Sequence, residues 1–462
     1  MTQSGQRILA VVLAAGRGTR LHSAVPKVLH AAAGRPLLDW VLGAARSAGC
    51  EDIVAIIGHE ADAVRKAFDG EKIIWVLQQE QKGTGHALAQ AEPAIEQPGI
   101  MLVLSGDVPL VSADTLGQLV EEAQQGWAAM AVAQLADPGS LGRVLTAADG
   151  TLQRIVEASD ASSEELVIGR VNAGLYALPA PDIFEYLRFL EPDNAKGELY
   201  LTDALNAAAL QGRPIRLLEL ADSAESWGVN NRADLGRVHR RLLRRHAERL
   251  MESGVTILDV ETTTIEGKVT VGTDTVIHPG VSLLGVTAIG RRCTLEQGAW
   301  LRDTTVDDGT RIAPYSVLEE AQIAKECQIG PFARMRPGTV VARGAEVGNF
   351  VEIKNSELGE GVKANHLAYI GDATVGMGSN IGAGAVTCNY DGRKKSATRI
   401  GRNVFVGSDT MLLAPVDIGD EAMTAAGSVV SKDVPDGALA IERSTQRNIA
   451  GWARRFLQRK RK

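Results

Sequence analysis

The chain has 462 residues, room for two or three domains at roughly 150 residues each, and its 45% apolar and 23% charged residues are ordinary for a globular protein. A net charge of −7 argues against a general nucleic-acid binder. No stretch reaches the roughly 18 uninterrupted apolar residues of a membrane span. The opening apolar run lacks the features of a cleaved leader.

Short apolar runs at residues 8–14, 53–57, 73–77 and 101–104 read as buried strands, and amphipathic stretches such as 37–48 and 61–68 read as helices. Their alternation predicts an α/β domain over residues 1–230, with a Rossmann-like mixed, mainly parallel sheet covered on both faces. Ligands of such sheets sit at the carboxyl ends of the strands. Residues 231–252, rich in arginine, read as one connecting helix.

From residue 253 the register changes. Apolar residues recur every sixth position: Val271, Ile277, Leu283, Ile289, Leu295 and Leu301, then Ile323 to Ile353, then Ile400 to Val430. A period of six fits neither a helix nor a simple ladder; it fits a triangular solenoid with one inward residue per side. Gly often follows the inward residue, as in Val271-Gly272, Ile329-Gly330, Ile381-Gly382 and Val406-Gly407. These glycines are assigned to turns of positive φ. Residues 387–399 interrupt the phase and read as a projecting loop. Residues 444–462 read as a polar, basic, solvated tail. Cys50, Cys293, Cys327 and Cys388 lack paired spacing, so they predict neither a zinc site nor a disulfide framework and fit a reducing cytoplasm.

Chemistry-bearing residues follow the strands. Leu13-Ala14-Ala15-Gly16-Arg17-Gly18-Thr19-Arg20 closes the first strand and offers backbone N–H groups to phosphate. Arg20 and Lys27 add fixed positive charge. The turn lacks the spacing of a dinucleotide fingerprint or of a P-loop. The string LAAGRGTR…PK is similar to the signature of the sugar-nucleotide pyrophosphorylases. Gln78, Gly83 and Thr84 follow the third strand, and amide and backbone groups there suit a pyrimidine edge. Ser105-Gly106-Asp107 ends the next strand, where an Asp can ligate Mg²⁺. By the same resemblance Asn230 is a second metal ligand, and Gly142, Glu157 and Asn172 hold the sugar.

The six-residue repeat resembles the left-handed parallel β-helix of the hexapeptide acyltransferases, which typically trimerise. Acetyl transfer to an amine profits from a base that works near neutral pH, and His366 is the leading candidate. Arg336, Lys354, Tyr369, Asn380 and Lys395 form a cationic and hydroxyl-bearing set suited to a sugar phosphate. Asn389 and Tyr390 sit on the projecting loop, where they could position amine and thioester. Ala383, Ser408, Ala426 and Arg443 fall where the family lines its acetyl-CoA groove.

Over nearly its whole length the sequence resembles the bacterial bifunctional N-acetylglucosamine-1-phosphate uridyltransferase/glucosamine-1-phosphate N-acetyltransferases, on LAAGRGTR, GTGHA, GDVPL, GPFARMRPG, GNFVEIKN, NIGAGAVTCNYDG and VFVGSDT. The resemblance implies acetylation of glucosamine 1-phosphate by acetyl-CoA in residues 253–462. It also implies UTP- and Mg²⁺-dependent conversion of N-acetylglucosamine 1-phosphate to UDP-N-acetylglucosamine in residues 1–230. A cytoplasmic homotrimer with sites between subunits, and no nucleic-acid or membrane partner, completes the expectation. Ser105 departs from a Tyr often found before Gly-Asp, and Trp227 from an acidic or small residue before Gly-Val-Asn-Asn. Two alternatives stay open: a sugar nucleotidyltransferase whose β-helix only regulates or oligomerises, and a non-enzymatic scaffold.

Overall fold

The run ILAVVL forms an interior strand because branched and aliphatic side chains suit a pleated surface buried on both faces. Residues 7–95 and 97–459 are described by a computed structural model, in which two compact units, Met1–Leu243 and Arg244–Lys462, separate. In the first unit we number nine strands: β1 (Ile8–Leu13), β2 (Asp52–Ile57), β3 (Ile74–Leu77), β4 (Gly99–Ser105), β5 (Ala128–Gln134), β6 (Arg143–Thr146), β7 (Leu152–Val156), β8 (Arg170–Ala180) and β9 (Ile215–Glu219). Their order is β9-β5-β8-β4-β1-β2-β3, with the β6–β7 hairpin attached to β8. β8 runs antiparallel to both neighbours, while the β4-β1-β2-β3 edge is parallel.

Alternate residues of β1 serve opposite cores. Leu9 and Val11 pack with the helices Thr84–Ala89 and Leu201–Leu210; Ala10 and Val12 pack with Leu37–Ser47 and Ala113–Gln124. Each fully buried aliphatic side chain contributes about 1.5–3 kcal/mol. The pairing of Leu13 with Ser105, and a bond from Gly106 N to Leu13 O at 2.9 Å, lay the two motif turns side by side at the carboxyl ends.

The second unit is a left-handed parallel β-helix. Strands of two to four residues stack into three sheets, each strand pairing in parallel with its counterpart one coil on, as in Ile277↔Leu295 and Leu283↔Leu301. Ile277, Leu283, Leu301, Met335, Val347 and Val406 are fully enclosed, as the period of six requires. Buried hydroxyls under the corners are satisfied by backbone: Thr275 Oγ1 donates to Gly290 O at 2.8 Å and accepts from Cys293 N at 3.0 Å.

The structure corrects the role given to the repeat glycines. Apart from Gly330, those after the inward residue are not left-handed. They are glycine because neighbouring coils approach closely: a Cβ would lie 2.7 Å from Gly290 backbone at Gly272, 2.5 Å from Gly401 at Gly376 and 2.6 Å from Gly407 at Gly382. Left-handed conformations fall instead at other corner positions, many occupied by side-chain-bearing residues. Tyr315, Phe332 and Phe350 stand there at φ 57, 55 and 58, with rings stacked at 5.5 and 5.4 Å. Ring stacking of about 0.5–1.5 kcal/mol for each of the two pairs recovers part of a left-handed cost of about 1–2 kcal/mol per residue.

Two further readings are refined. The interruption at 387–399 narrows to 389–397, because Thr387 and Thr398 are buried residues of the strands Val386–Cys388 and Thr398–Ile400. Tyr390 and Lys395 bridge the exposed hairpin between them. The basic tail is solvated but not without structure: Trp452–Arg459 is a helix, exposed over its described side chains, and Trp452 stacks on Phe456 one turn later at 5.1 Å. Lys460, Arg461 and Lys462 lie outside the described residues. The arginine-rich helix is Arg232–Glu252, and the division between the units falls within it.

Candidate active sites

In the first unit, the turn after β1 carries Ala14 and Ala15 inward and leaves Gly16 exposed. Gly18, at φ 62, is where the stem of Lys27 passes: a Cβ there would meet Lys27 Cβ at 2.7 Å. That passage brings the Lys27 ammonium into an ion pair with Asp107 at the end of β4. Asn230 joins the cluster, its Oδ1 accepting from Arg20 at 3.0 Å and from Lys27 at 3.2 Å. A backbone bond from Val229 N to Asp107 O at 3.0 Å fixes the two loops to each other. Four residues spread over more than 200 positions thus form one charged cluster.

Beside it lies a cleft of about 250 Å³ whose walls include Leu13, Thr84, Ser105, Asp107, Gly142, Glu157, Asn172 and Asn230. Glu157 is placed by β7 and accepts from Thr202 Oγ1 at 3.0 Å. Burial pushes its carboxyl up from the ordinary glutamate value, against the Thr202 bond and the charge of Lys196. Gly142 leaves room beside that carboxylate, where a Cβ would come within 3.4 Å of Oε1. Asn172 is aimed by a bulge in β8 between Asn172 and Tyr176, with Gly174 at φ 70. Its amide donates to Tyr176 Oη at 2.7 Å and accepts from Gly174 N at 2.9 Å. Gln78 is buried with its amide nitrogen against His86 Nδ1 at 2.9 Å. The left-handed Gly83 backs onto Leu199, and Thr84 Oγ1 accepts from Leu201 N at 3.0 Å. Thr202 and Tyr176 were not legible as site residues; a Gly within a strand pattern was the one signal of the bulge.

In the β-helix, His366 is exposed, and its Nδ1 meets Asn349 Oδ1 at 3.2 Å across one coil. Register carries the same column onward. The pairs Asn349↔His366, Ile381↔Val406 and Val406↔Thr424, with bonds from Gly384 N to Leu367 O and from Asp409 N to Ala383 O, align Asn349, His366, Ala383, Ser408 and Ala426 on one corner. Arg443 closes the row, donating to Ala426 O at 3.2 Å. An imidazole therefore stands beside a file of small residues.

Arg336, Lys354 and Tyr369 lie on an adjacent sheet in neighbouring coils, with Arg336 paired to Glu352 at 2.9 Å. Lys354 lies beside Lys395 of the hairpin, and the Lys354 amine and charge hold Lys395 below the ordinary lysine value. Asn380 stands apart, on the sheet that carries Lys363 and Phe405. Asn389 and Tyr390, expected to act alike, differ. Asn389 is buried and donates to Asp372 at 2.6 Å, whereas Tyr390 is exposed. Asp372 belongs to no motif, and only its contacts reveal it.

A MobA-like NTP transferase domain model matches residues 10–174, and a GMPPB C-terminal domain model matches residues 265–351. The bifunctional protein GlmU of Pelobacter propionicus is 46% identical over 97% of this chain and 98% of its own length. Those of Alkalilimnicola ehrlichii and Chromobacterium violaceum are 45% and 44% identical, over 97% and 96% of this chain and 97% of theirs. With two separate sites on a nucleotidyltransferase unit and a β-helix, and likeness running from end to end, the chain belongs to the family of the bifunctional GlmU proteins, the N-acetylglucosamine-1-phosphate uridyltransferase/glucosamine-1-phosphate N-acetyltransferases.

Proposed function

We propose that the family's two reactions, acetylation of glucosamine 1-phosphate and uridylyl transfer to its product, run at the two sites described above. The observation that carries this reading is the meeting of sequence-distant groups in each unit: Arg20, Lys27, Asp107 and Asn230 in the first, and the row from Asn349 to Ala426 in the second.

In the first unit, the N–H groups of the Ala14-Ala15-Gly16 turn, with Arg20 and Lys27, take the triphosphate. Leu13, Gly83, Thr84 and the oxygen of the Gln78 amide take the uracil. Gly142, Glu157 and Asn172 hold the N-acetylated sugar, with Ser105 and Gly106 at the floor. The phosphate oxygen of N-acetylglucosamine 1-phosphate then forms a bond to the α-phosphorus of UTP, and pyrophosphate leaves with the broken P–O bond. This needs positioning and charge neutralisation, not a protein nucleophile. Asp107 and Asn230 present two hard oxygens to one cation, here the Lys27 ammonium, and that donor set fits Mg²⁺ shared with substrate phosphates. When bound, Mg²⁺ supplies further neutralisation of phosphate charge.

In the β-helix, the contact with the Asn349 amide oxygen favours the tautomer of His366 that carries its proton on Nδ1, which leaves Nε2 to take the proton of the amine. The amine attacks the thioester carbonyl, and CoA leaves as the thiol. Ala383, Ser408 and Ala426 give the pantetheine arm a flat bed, and Arg443 meets CoA phosphate. Arg336, Lys354, Tyr369 and Lys395 hold the sugar phosphate. The separation of Asn380 from that set, and the exposure of Tyr390, support a homotrimer in which neighbouring copies complete each site. Four free cysteines support a reducing, cytoplasmic setting.

The test is a coupled assay with glucosamine 1-phosphate, acetyl-CoA, UTP and Mg²⁺, reading thiol and pyrophosphate separately. Both should appear, and pyrophosphate should require acetyl-CoA unless N-acetylglucosamine 1-phosphate is supplied. Pyrophosphate without any thiol would reduce the β-helix to a structural part and remove the role of His366.

A further inference from the structure

Asp372 occupies a corner of the β-helix at φ 49, between the coil of Lys354 and the hairpin 389–397. Its Oδ1 accepts from Asn355 at 2.7 Å, and its Oδ2 accepts from Asn389 at 2.6 Å, at the hairpin's entry. Its backbone N donates to Lys354 O at 3.0 Å, and its carbonyl accepts from Thr398 N at 3.2 Å, at the hairpin's exit. One residue therefore ties both ends of the insertion to the coil that bears Lys354. Lys354 and Lys395 both act on this carboxylate. Burial pushes it up, but the two amides and the two lysines outweigh that and hold it below the usual aspartate value.

We propose that Asp372 is a positioning residue of the acetyl-transfer site: it fixes the hairpin and supplies the counter-charge that keeps the Lys395 ammonium beside that of Lys354. Two like charges on exposed side chains repel by about 1 kcal/mol at about 4 Å in water, and a nearby carboxylate favours their approach. Held together, they form a receptor for a phosphate dianion, the group that distinguishes glucosamine 1-phosphate from the free amino sugar. The inference rests on the assignment of Lys354 and Lys395 to the sugar phosphate.

The two roles open to Asp372 predict opposite signs. A carboxylate that merely lies near a phosphate repels it, so its removal tightens binding. A carboxylate that assembles the receptor weakens binding when removed. Asp372→Asn in the full chain keeps the shape, removes the charge and leaves one acceptor oxygen for the two amides of Asn355 and Asn389. With acetyl-CoA saturating, the KM for glucosamine 1-phosphate in thiol release should rise about tenfold, the worth of one lost charge-assisted contact. The KM for acetyl-CoA should stay within about twofold of its value, since its bed is elsewhere on the coil. Asp372→Glu should recover part of the loss. An unchanged or lowered KM for glucosamine 1-phosphate overturns the inference alone. So does a parallel rise in both KM values with a lowered melting temperature, which marks a merely structural role. If the unmodified chain releases no thiol with glucosamine 1-phosphate, the assignment beneath falls and takes the inference with it.

Discussion

Replacing Gly382 by Ala tests the close approach of the coils. A Cβ there would meet Gly407 C, Ser408 N and Val406 O, all at 2.6 Å. These are backbone atoms of the next coil, held by bonds from Gly382 N to Val406 O at 2.9 Å and from Asp409 N to Ala383 O at 2.7 Å. Comfortable carbon contact begins near about 3.5 Å, so the coils must part locally by about 1 Å. Two backbone bonds of about 1 kcal/mol each and an overpacking cost of about 1–3 kcal/mol give a loss of about 3–5 kcal/mol. For a unit of this size that lowers the melting temperature by about 10 °C. Gly361→Ala is the control: φ is 63, but nothing lies within 4 Å of the added carbon. Its cost is the left-handed backbone alone, about 1 kcal/mol, or about 3 °C. Far-ultraviolet circular dichroism of both full-length variants gives the melting temperatures. Thiol release should fall further for Gly382→Ala, since Ala383 belongs to the row after His366. A Gly361→Ala variant as unstable as Gly382→Ala would refute the reasoning that close approach of the coils sets the cost at Gly382.

Asp107→Asn should cut pyrophosphate release by about 10²–10³-fold, with thiol release unchanged; loss of both in a folded protein contradicts the two-site reading. His366→Ala should cut thiol release by about 10²–10⁴-fold while pyrophosphate release from N-acetylglucosamine 1-phosphate persists. Asn349→Ala should cut thiol release by about 10–100-fold, because the imidazole loses the acceptor that fixes its tautomer. Glu157 carries a raised pKa in the fold, so between its unfolded and folded values the native state binds more protons than the unfolded one. Its stabilising effect is therefore complete below the unfolded value and lost as pH rises through the folded value. Glu157→Gln should remove that decline, so the melting temperature of the first unit should fall less from pH 4 to pH 7 than in the unmodified chain.

The β-helix was readable because its inward residues repeat with a period no other architecture uses, and Ile277, Leu295 and Met335 are enclosed as that period demands. The parallel edge of the first sheet was readable from aliphatic runs such as that of β1. β5, by contrast, is AAMAVAQ, whose alanines favour a helix on intrinsic propensity and become a strand only because both faces are covered. Lys27, Asp107 and Asn230 were found through motifs, and the fold brings them into contact beside the cleft. Asp372 was not, because a lone Asp at a corner reads as a turn former; its meaning lies in contacts with Asn355 and Asn389, 17 residues away on either side. Asn389 was read for its chemistry, but burial commits its amide to holding the hairpin.

The stacking of coils also governs how damage spreads. Most strands of the β-helix pair with those one coil away, 17 or 18 residues along; the step is 20 residues at the first coil, 16 at the last and 25 across the hairpin, as in Ile381↔Val406. Energetic coupling in such an array runs between nearest neighbours, and order can start anywhere and propagate. The row from His366 to Ala426 spans four successive coils toward the carboxyl end, where the last described strand of its sheet, Leu439–Ala440, forms the outer boundary. Fraying from that end reaches Arg443 and Ala426 before Ser408, Ala383 and finally His366. On the proposed reading, in which acetyl-CoA lies along the row, the ligand would act as a clasp across several coils and stiffen the terminus that a one-dimensional array leaves weakest.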